Sequence, residues 1–202
     1  MTMQRGLLWW VSHHRNHHRS TDTVKDCHSP VAHGLYRAHM GWVWNCFDYD
    51  PKLVKDLMRY PELIWINRFY ILPAIITIIV IFILGEWLGT DSTTTISGGQ
   101  FVTWGYLVPM AVCLHATYAI NSVCHLWGYR RYETSDNSKN NLLIALLMLG
   151  EGWHNNHHKF PYSANMGISR YEIDIGYLLL KFLGVMGIIW NIKTYEKSDI
   201  GK

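Results

Sequence analysis

Two segments of the chain repeat one pattern of imidazoles. His14-Arg15-Asn16-His17-His18 and His154-Asn155-Asn156-His157-His158 both read H-x-x-H-H, and His125 follows Asn121 by four residues. On a helix, residues three and four apart share a face. Each H-x-x-H-H is therefore expected to aim three imidazoles at one point, and the two copies six. Neutral imidazole is a common metal ligand, and an all-histidine donor set suits Fe, Zn, Cu or Ni rather than Mg or Ca. So many donors favour a site for two ions. A single H-x-x-H-H is compatible with a solvated helix face; two copies, with a further histidine in an apolar segment, argue for a ligand set. His28, His33 and His39 lie outside the pattern and are expected at the surface or hydrogen-bonded behind the ligands, as is His13. His115 is off the helical face of His125 and is expected to pack or to line a cavity. The H-E-x-x-H signature of a zinc protease is missing, and so is G-x-S-x-G.

The elements that must carry these residues are all helical in period. Phe69 to Leu88, FYILPAIITIIVIFILGEWL, has a single charge, Glu86, and the length of a bilayer-crossing helix. Pro73 lies in its first turns and is expected to start or bend it. After a polar loop, GTDSTTTISGGQ, comes a second apolar stretch, Trp104 to Trp127, carrying His115, Asn121 and His125. Polar groups in a spanning helix are costly and usually face a cavity or a partner. All eighteen Lys and Arg lie outside residues 69–126, nine before and nine after. The positive-inside rule then places both flanks in the cytoplasm. The alternative of a soluble helical protein with two buried helices is weakened because residues 69–88 are apolar all round, with no polar stripe. Residues 142–152 and 175–190 are too short to span and are expected as interfacial or packing helices. A surface helix is expected from about Pro51 to Arg59.

Composition agrees. At 202 residues, 49% apolar, the chain supports one domain, and a net charge of +3 is too small to argue for nucleic acid. Ten Trp and twelve Tyr suit membrane interfaces. Cys27, Cys46, Cys113 and Cys124 show no paired spacing and read as reduced thiols. No signal peptide is visible. The expected fold class is all-α: an integral, multi-pass membrane protein with residues 69–127 as a transmembrane hairpin and 1–68 and 128–202 as two cytoplasmic blocks. The metal site then lies on the cytoplasmic side, beside the lipid phase. A di-iron centre that activates dioxygen would attack an unreactive C–H bond, which protein side chains alone cannot do.

Three stretches carry a resemblance: WWVSHHRNHHRSTDTVKDCHSP, INSVCHLWGYRRYETSDNSKNN and GEGWHNNHHKFPYSA. The chain resembles the membrane fatty acid desaturases, of the delta-9 acyl-CoA or acyl-lipid type, from about Trp9 to Trp190. The resemblance implies a four-helix membrane bundle under a cytoplasmic helical cap that holds two iron ions. It makes His14, His17 and His18 the second histidine box, His154, His157 and His158 the third, and His125 a further ligand, with Asn121 holding a water on one iron. It implies that dioxygen is reduced to water while two adjacent methylenes of a saturated acyl chain become a cis double bond. Two electrons come from a ferredoxin or a b-type cytochrome. Trp10, Thr117 and Tyr118 match residues around the bend of the substrate tunnel.

The family uses nine histidines, and this chain matches seven. The upstream H-x(3–4)-H box is not in the sequence, which leads to the expectation of an N-terminally incomplete desaturase domain, 1–202, of low activity on its own. Ser12-His13 stands where an Arg-Asp pair helps the animal enzymes hold coenzyme A. Gly41-Trp42 is followed by Val43-Trp44-Asn45-Cys46 rather than by a basic pair. Phosphates call for Arg or Lys, so the acyl carrier stays open. Rival readings are a related membrane di-iron hydroxylase of alkane or sterol type, a metal or haem carrier, and a non-catalytic truncated remnant.

Overall fold

The computed structural model describes residues 3–89 and 97–200. The part of the polar inter-helix loop at 90–96 lies outside the described residues. Among the described residues no strand forms, and only isolated bridges pair Tyr129 with Asn140 and Asn140 with Trp153. The all-helical expectation holds. In chain order, the helices that position the site are α1 (Leu7–Ser20), α2 (Pro61–Arg68), α3 (Leu72–Leu88), α4 (Gly98–Val123), α5 (Leu142–Leu147), α6 (His154–Lys159) and α7 (Ile175–Val185).

The chain divides into two interleaved compact units. The first comprises residues 1–16 and 43–115. Here one face of α1 is tied down. Asn67 Oδ1 accepts the N–H groups of Leu8 and Trp9, at 2.9 and 3.3 Å, which caps the helix start. Gly6 is required beneath that cap, because a Cβ would sit 2.2 Å from Asn67 Oδ1. Trp9 Nε1–H donates to Cys46 O at 2.8 Å, Ser12 Oγ–H to Asp50 O at 3.1 Å, and Arg15 pairs with Asp56 at 2.7 Å. Residues 8, 9, 12 and 15 fall on one side of a 3.6-residue helix, which leaves positions 10, 14, 17 and 18 on the other.

Within α3 only Ala74 and Gly85 are buried, while Ile75, Ile76, Ile79, Val80, Phe82 and Ile83 are exposed. A continuous apolar surface of this kind marks a membrane or partner contact. α4, at 26 residues, is the described helix long and apolar enough to cross a membrane by itself. α2 and α3 pass that test only as a pair bent by 66°. Pro73 explains the bend, since its ring excludes a helical hydrogen bond and crowds the carbonyl of Phe69. Glu86, the lone charge of the apolar block, is used locally: its Oε1 accepts the Gly98 N–H at 2.7 Å, at the start of α4. Gly85 lets α3 approach α4, because a Cβ there would lie 2.7 Å from Phe101 Cβ and 2.8 Å from Gly98 Cα. Gly85→Leu should lower stability by about 2 kcal/mol through overpacking. Thermal unfolding in detergent checks this, and an unchanged midpoint would contradict it.

The helix expected at 51–59 is instead two 3₁₀ turns, Pro51–Val54 and Leu57–Arg59. The residue before a proline is driven out of the helical region. Tyr60, at φ −105° and ψ 104°, breaks the chain there and α2 starts at Pro61.

The second unit comprises residues 17–42 and 116–202. Its apolar core is Ile120, Cys124 and Ile144, with Ala119, Val123 and Met148 against it. α5 starts at an Asn141 cap whose Oδ1 accepts the Ile144 N–H at 3.1 Å. Gly128 holds φ +137° where a Cβ would lie 2.2 Å from Asn140 O, so only glycine lets this turn close on the Asn140 bridge. α7 buries none of its residues, and Leu178, Leu179, Phe182 and Val185 are exposed. Its 11 residues are too few to span a bilayer.

Candidate metal centre

The second unit gathers histidines from three places: the end of α1, the turn after α4, and α6. His17 Nε2 lies 3.2 Å from His158 Nε2, His158 Nε2 3.0 Å from His154 Nε2, and His154 Nε2 3.1 Å from His125 Nε2. His17, His125 and His154 are at most 2% exposed. Beside this group, His18 Nε2 lies 2.8 Å from His157 Nε2. His14 stands one turn before His18 on α1 and stacks on Trp10 at 4.8 Å between ring centroids.

The grouping corrects one expectation. Each H-x-x-H-H box does not aim at a single point. His17 and His158 meet in the four-histidine group, whereas His18 and His157, their immediate neighbours, meet each other. Adjacent residues on a helix diverge by about 100°, so each box contributes to two histidine groups. A second correction concerns His125. α4 ends at Val123, and His125 sits on the following turn, where Leu126 and Trp127 N–H groups both return to Val123 O. Asn121 is buried on the last turn of α4.

Three carboxylates stand behind the four-histidine group. His17 Nδ1 is 2.8 Å from Asp26 Oδ2, His158 Nδ1 2.8 Å from Asp136 Oδ2, and His125 Nδ1 3.3 Å from Asp22 Oδ2. An ionised carboxylate only accepts, so each of these rings carries its proton on Nδ1 and turns a bare Nε2 lone pair inward. The facing lone pairs of His17 and His158, 3.2 Å apart, repel unless a cation lies between them. An ion with nitrogen ligands at about 2.1 Å would hold neighbouring donors about 3.0–3.4 Å apart. The donor set thus fits a transition-metal ion.

Titration agrees with that role. Burial, opposed by the Asp136 hydrogen bond and reinforced by His17 and His125, holds His158 down at about 4. Burial and the surrounding rings push His154 well below the ordinary histidine range. Both are neutral at pH 7. Burial would raise Asp22, but its contacts with His125, Asn137 and Ser29 outweigh that and hold it at about 2. Asp26, with His17 and His28, and Asp136, with His158 and Ser138, are likewise held below the ordinary carboxylate range against the effect of burial.

The two asparagines inside H-N-N-H-H anchor the back of α6. Asn140 Oδ1 accepts the Asn155 and Asn156 N–H groups at 3.0 and 3.2 Å. Asn155 Oδ1 accepts from Arg131 and Tyr132 N–H, at 2.8 and 2.7 Å. Asn156 Nδ2–H donates to Met166 O at 2.8 Å and to Glu172 Oε2 at 3.1 Å. All three asparagines are at most 1% exposed. Every polar group of this wall has a partner, and so the imidazoles opposite it are fixed.

The comparisons with known proteins bear on the same residues. The family model described as fatty acid desaturase matches residues 1–179. The chain belongs to the fatty acid desaturase family. A probable chloroplastic lipid desaturase of Arabidopsis thaliana is 38% identical, over 99% of this chain and 53% of its own length. An acyl-CoA C20 Delta5-desaturase of Anemone leveillei is 35% identical, over 99% of this chain and 61% of its own. An sn-1 stearoyl-lipid 9-desaturase of Anabaena variabilis is 32% identical, over 98% of this chain and 70% of its own. The chain thus spans about half the length of the first of these desaturases. These relatives differ in the double-bond position and in the carrier that they name.

The remaining residues of this desaturase chain place as follows. Tyr118 is buried, with its ring 5.8 Å from His39, while Trp10 and Thr117 are half-buried. His39 Nδ1 is 3.0 Å from Ser122 Oγ. His13 Nε2 is 3.0 Å from Asp48 O, and His33 is half-buried. His115 is exposed. His28 is not at the surface: it is 2% exposed, stacked on His17 at 4.4 Å, with Nδ1 3.6 Å from Asp26 Oδ1. Asp22, Asp26 and Asp136 were outside the candidate set read from sequence. Their local signal is weak, since an acid in a polar Ser/Thr/Asn turn reads as a solvated cap.

Proposed function

We propose that this chain is the metal-binding part of a membrane di-iron fatty acid desaturase. The observation that carries the reading is the convergence of His17, His125, His154 and His158 Nε2 atoms, with carboxylates behind three of the rings. These four would hold one iron ion. His14, His18 and His157 would serve the other, with Asn121 holding a water. The bound iron pair supplies the activation of dioxygen that lets two hydrogens leave adjacent methylenes, with dioxygen reduced to water by those hydrogens, two external electrons and two protons. The chain's own residues orient the donors, keep His154 and His158 neutral and bury the four-histidine group.

α3 and α4 form the transmembrane hairpin in this reading, with both flanks on the cytoplasmic side, where a ferredoxin or a b-type cytochrome delivers electrons. Trp10, Thr117 and Tyr118 line the acyl tunnel, whose bend selects one C–C bond by proximity. The bond is placed at C9, supported by the resemblance and by the relatives named as 9-desaturases. Ser12-His13 and Val43-Trp44 in place of the basic pairs expected for coenzyme A favour an acyl-lipid carrier, while the relatives include both acyl-lipid and acyl-CoA desaturases.

Expression of the full reading frame in a host lacking its own desaturase, with gas chromatography and mass spectrometry of the fatty acids, tests the reading. A cis-monounsaturated acid is expected. A hydroxylated acid, or saturated acids alone, would contradict it. In the same assay, Tyr118→Trp should shift the chain-length preference by about one or two methylenes, each worth about 0.8 kcal/mol of burial. An unchanged product profile would remove Tyr118 from the tunnel.

A further inference from the structure

We propose that Asp22, Asp26 and Asp136 are positioning residues that make the four-histidine centre the tighter of the two metal sites, the one filled first. The inference rests on the metal-centre reading above and goes beyond it by ranking the sites. Each aspartate faces Nδ1 of a different ring, and each is itself held. Asp22 accepts from Asn137 N–H at 2.7 Å and Ser29 Oγ–H at 3.0 Å. Asp26 accepts the N–H groups of Asp22 and His28, both at 3.3 Å. Asp136 accepts from Ser138 N–H at 2.9 Å and Thr134 Oγ1–H at 2.8 Å.

Three consequences follow from this geometry. The tautomer of three rings is fixed with the lone pair inward, so binding an ion requires no proton rearrangement. A carboxylate behind an imidazole raises its basicity as a ligand. Three negative charges in a buried pocket also offset the charge of a buried dication, which is costly when uncompensated. In the other group His157 is buried but His14 and His18 are half-buried, so an ion there is nearer to water than one in the four-histidine group. All four donors of the tighter centre, and all three aspartates, belong to the second compact unit.

The test is anaerobic equilibrium dialysis of the purified full chain in detergent against Fe(II) alone, read by elemental analysis. Uptake in two separated steps is expected. Asp26→Asn and Asp136→Asn should each weaken the first step by about 10- to 100-fold and leave the second unchanged. Asp56→Asn, on an exposed ion pair, should change neither. A purely structural role would weaken both steps together. Two ions taken up with one affinity, or variants that weaken only the second step, would overturn the inference and leave the metal reading standing. No uptake would overturn both. Should a variant lose its helical circular dichroism, chelator competition on the unaltered protein decides: one ion must leave before the other, and simultaneous release overturns the proposal.

Discussion

Replacing His154 with Ala should reduce double-bond formation to the background of a host carrying no desaturase. His154 Nε2 lies 3.1 Å from that of His125 and 3.0 Å from that of His158, and the residue is 2% exposed. Its removal takes one of the four donors from the buried group. Even loss of a group that only supports a ligand costs about 10- to 100-fold in affinity or activity, so loss of a donor should exceed 100-fold or so. The fatty acid profile of the host measures it, with the amount of protein in the membrane fraction as the check on folding. His33→Ala, outside both histidine groups, should retain activity. Comparable activity in the His154 variant would remove it from the centre.

Glu172→Gln should destabilise the protein by about 2 kcal/mol, because it removes the charge of a buried carboxylate that several donors share. Glu172 is 4% exposed. It accepts from Arg131 at 2.8 Å, from the N–H groups of Ile168 and Ser169 at 3.0 and 2.9 Å, and from Asn156 at 3.1 Å. Burial would raise its pKa, but Tyr129, Ser169, Arg131 and Ile168 outweigh burial and hold it below the ordinary range. The unfolded chain therefore binds the proton more readily than the folded one. The stabilisation is fully present above about pH 4.5 and is lost as pH falls below that, through the folded value. Unfolding curves in detergent from pH 7 to pH 3 should show the unaltered protein losing stability on the acid side more steeply than the variant. Parallel curves would contradict the assignment. The variant should also bind iron less tightly, since Glu172 supports α6 through Asn156.

What could be read from residue order was what repeats locally. The two H-x-x-H-H boxes, the apolar blocks and the all-helical period follow from spacing along the chain, and they anticipated the family. The division of each box between two histidine groups did not follow, because it depends on which rings of α6 stand opposite. Trp9, Ser12 and Arg15 take one face, and the partners of His17 and His18 come from α6, far along the chain. The aspartates escaped notice for a related reason. Asp136 lies some twenty residues before the ring it holds, and Asp22 pairs with His125 across 103 residues. Nothing in a polar turn announces such a partner. For His28 spacing leaves open the surface or a place behind the ligands; Trp42 and His17 closing over it decide for the second. The helix expected at 51–59 is two 3₁₀ turns instead, and the proline after Tyr60 fixes only where the next helix starts.

The most direct test of the central claim, that these imidazoles converge on a binuclear metal centre, is anomalous diffraction at the iron edge from crystals of the iron-loaded protein. The account predicts one iron peak enclosed by the Nε2 atoms of His17, His125, His154 and His158, and a second beside His18 and His157. Iron-loaded crystals with no peak among these rings, or with the rings turned apart to solvent, would contradict it.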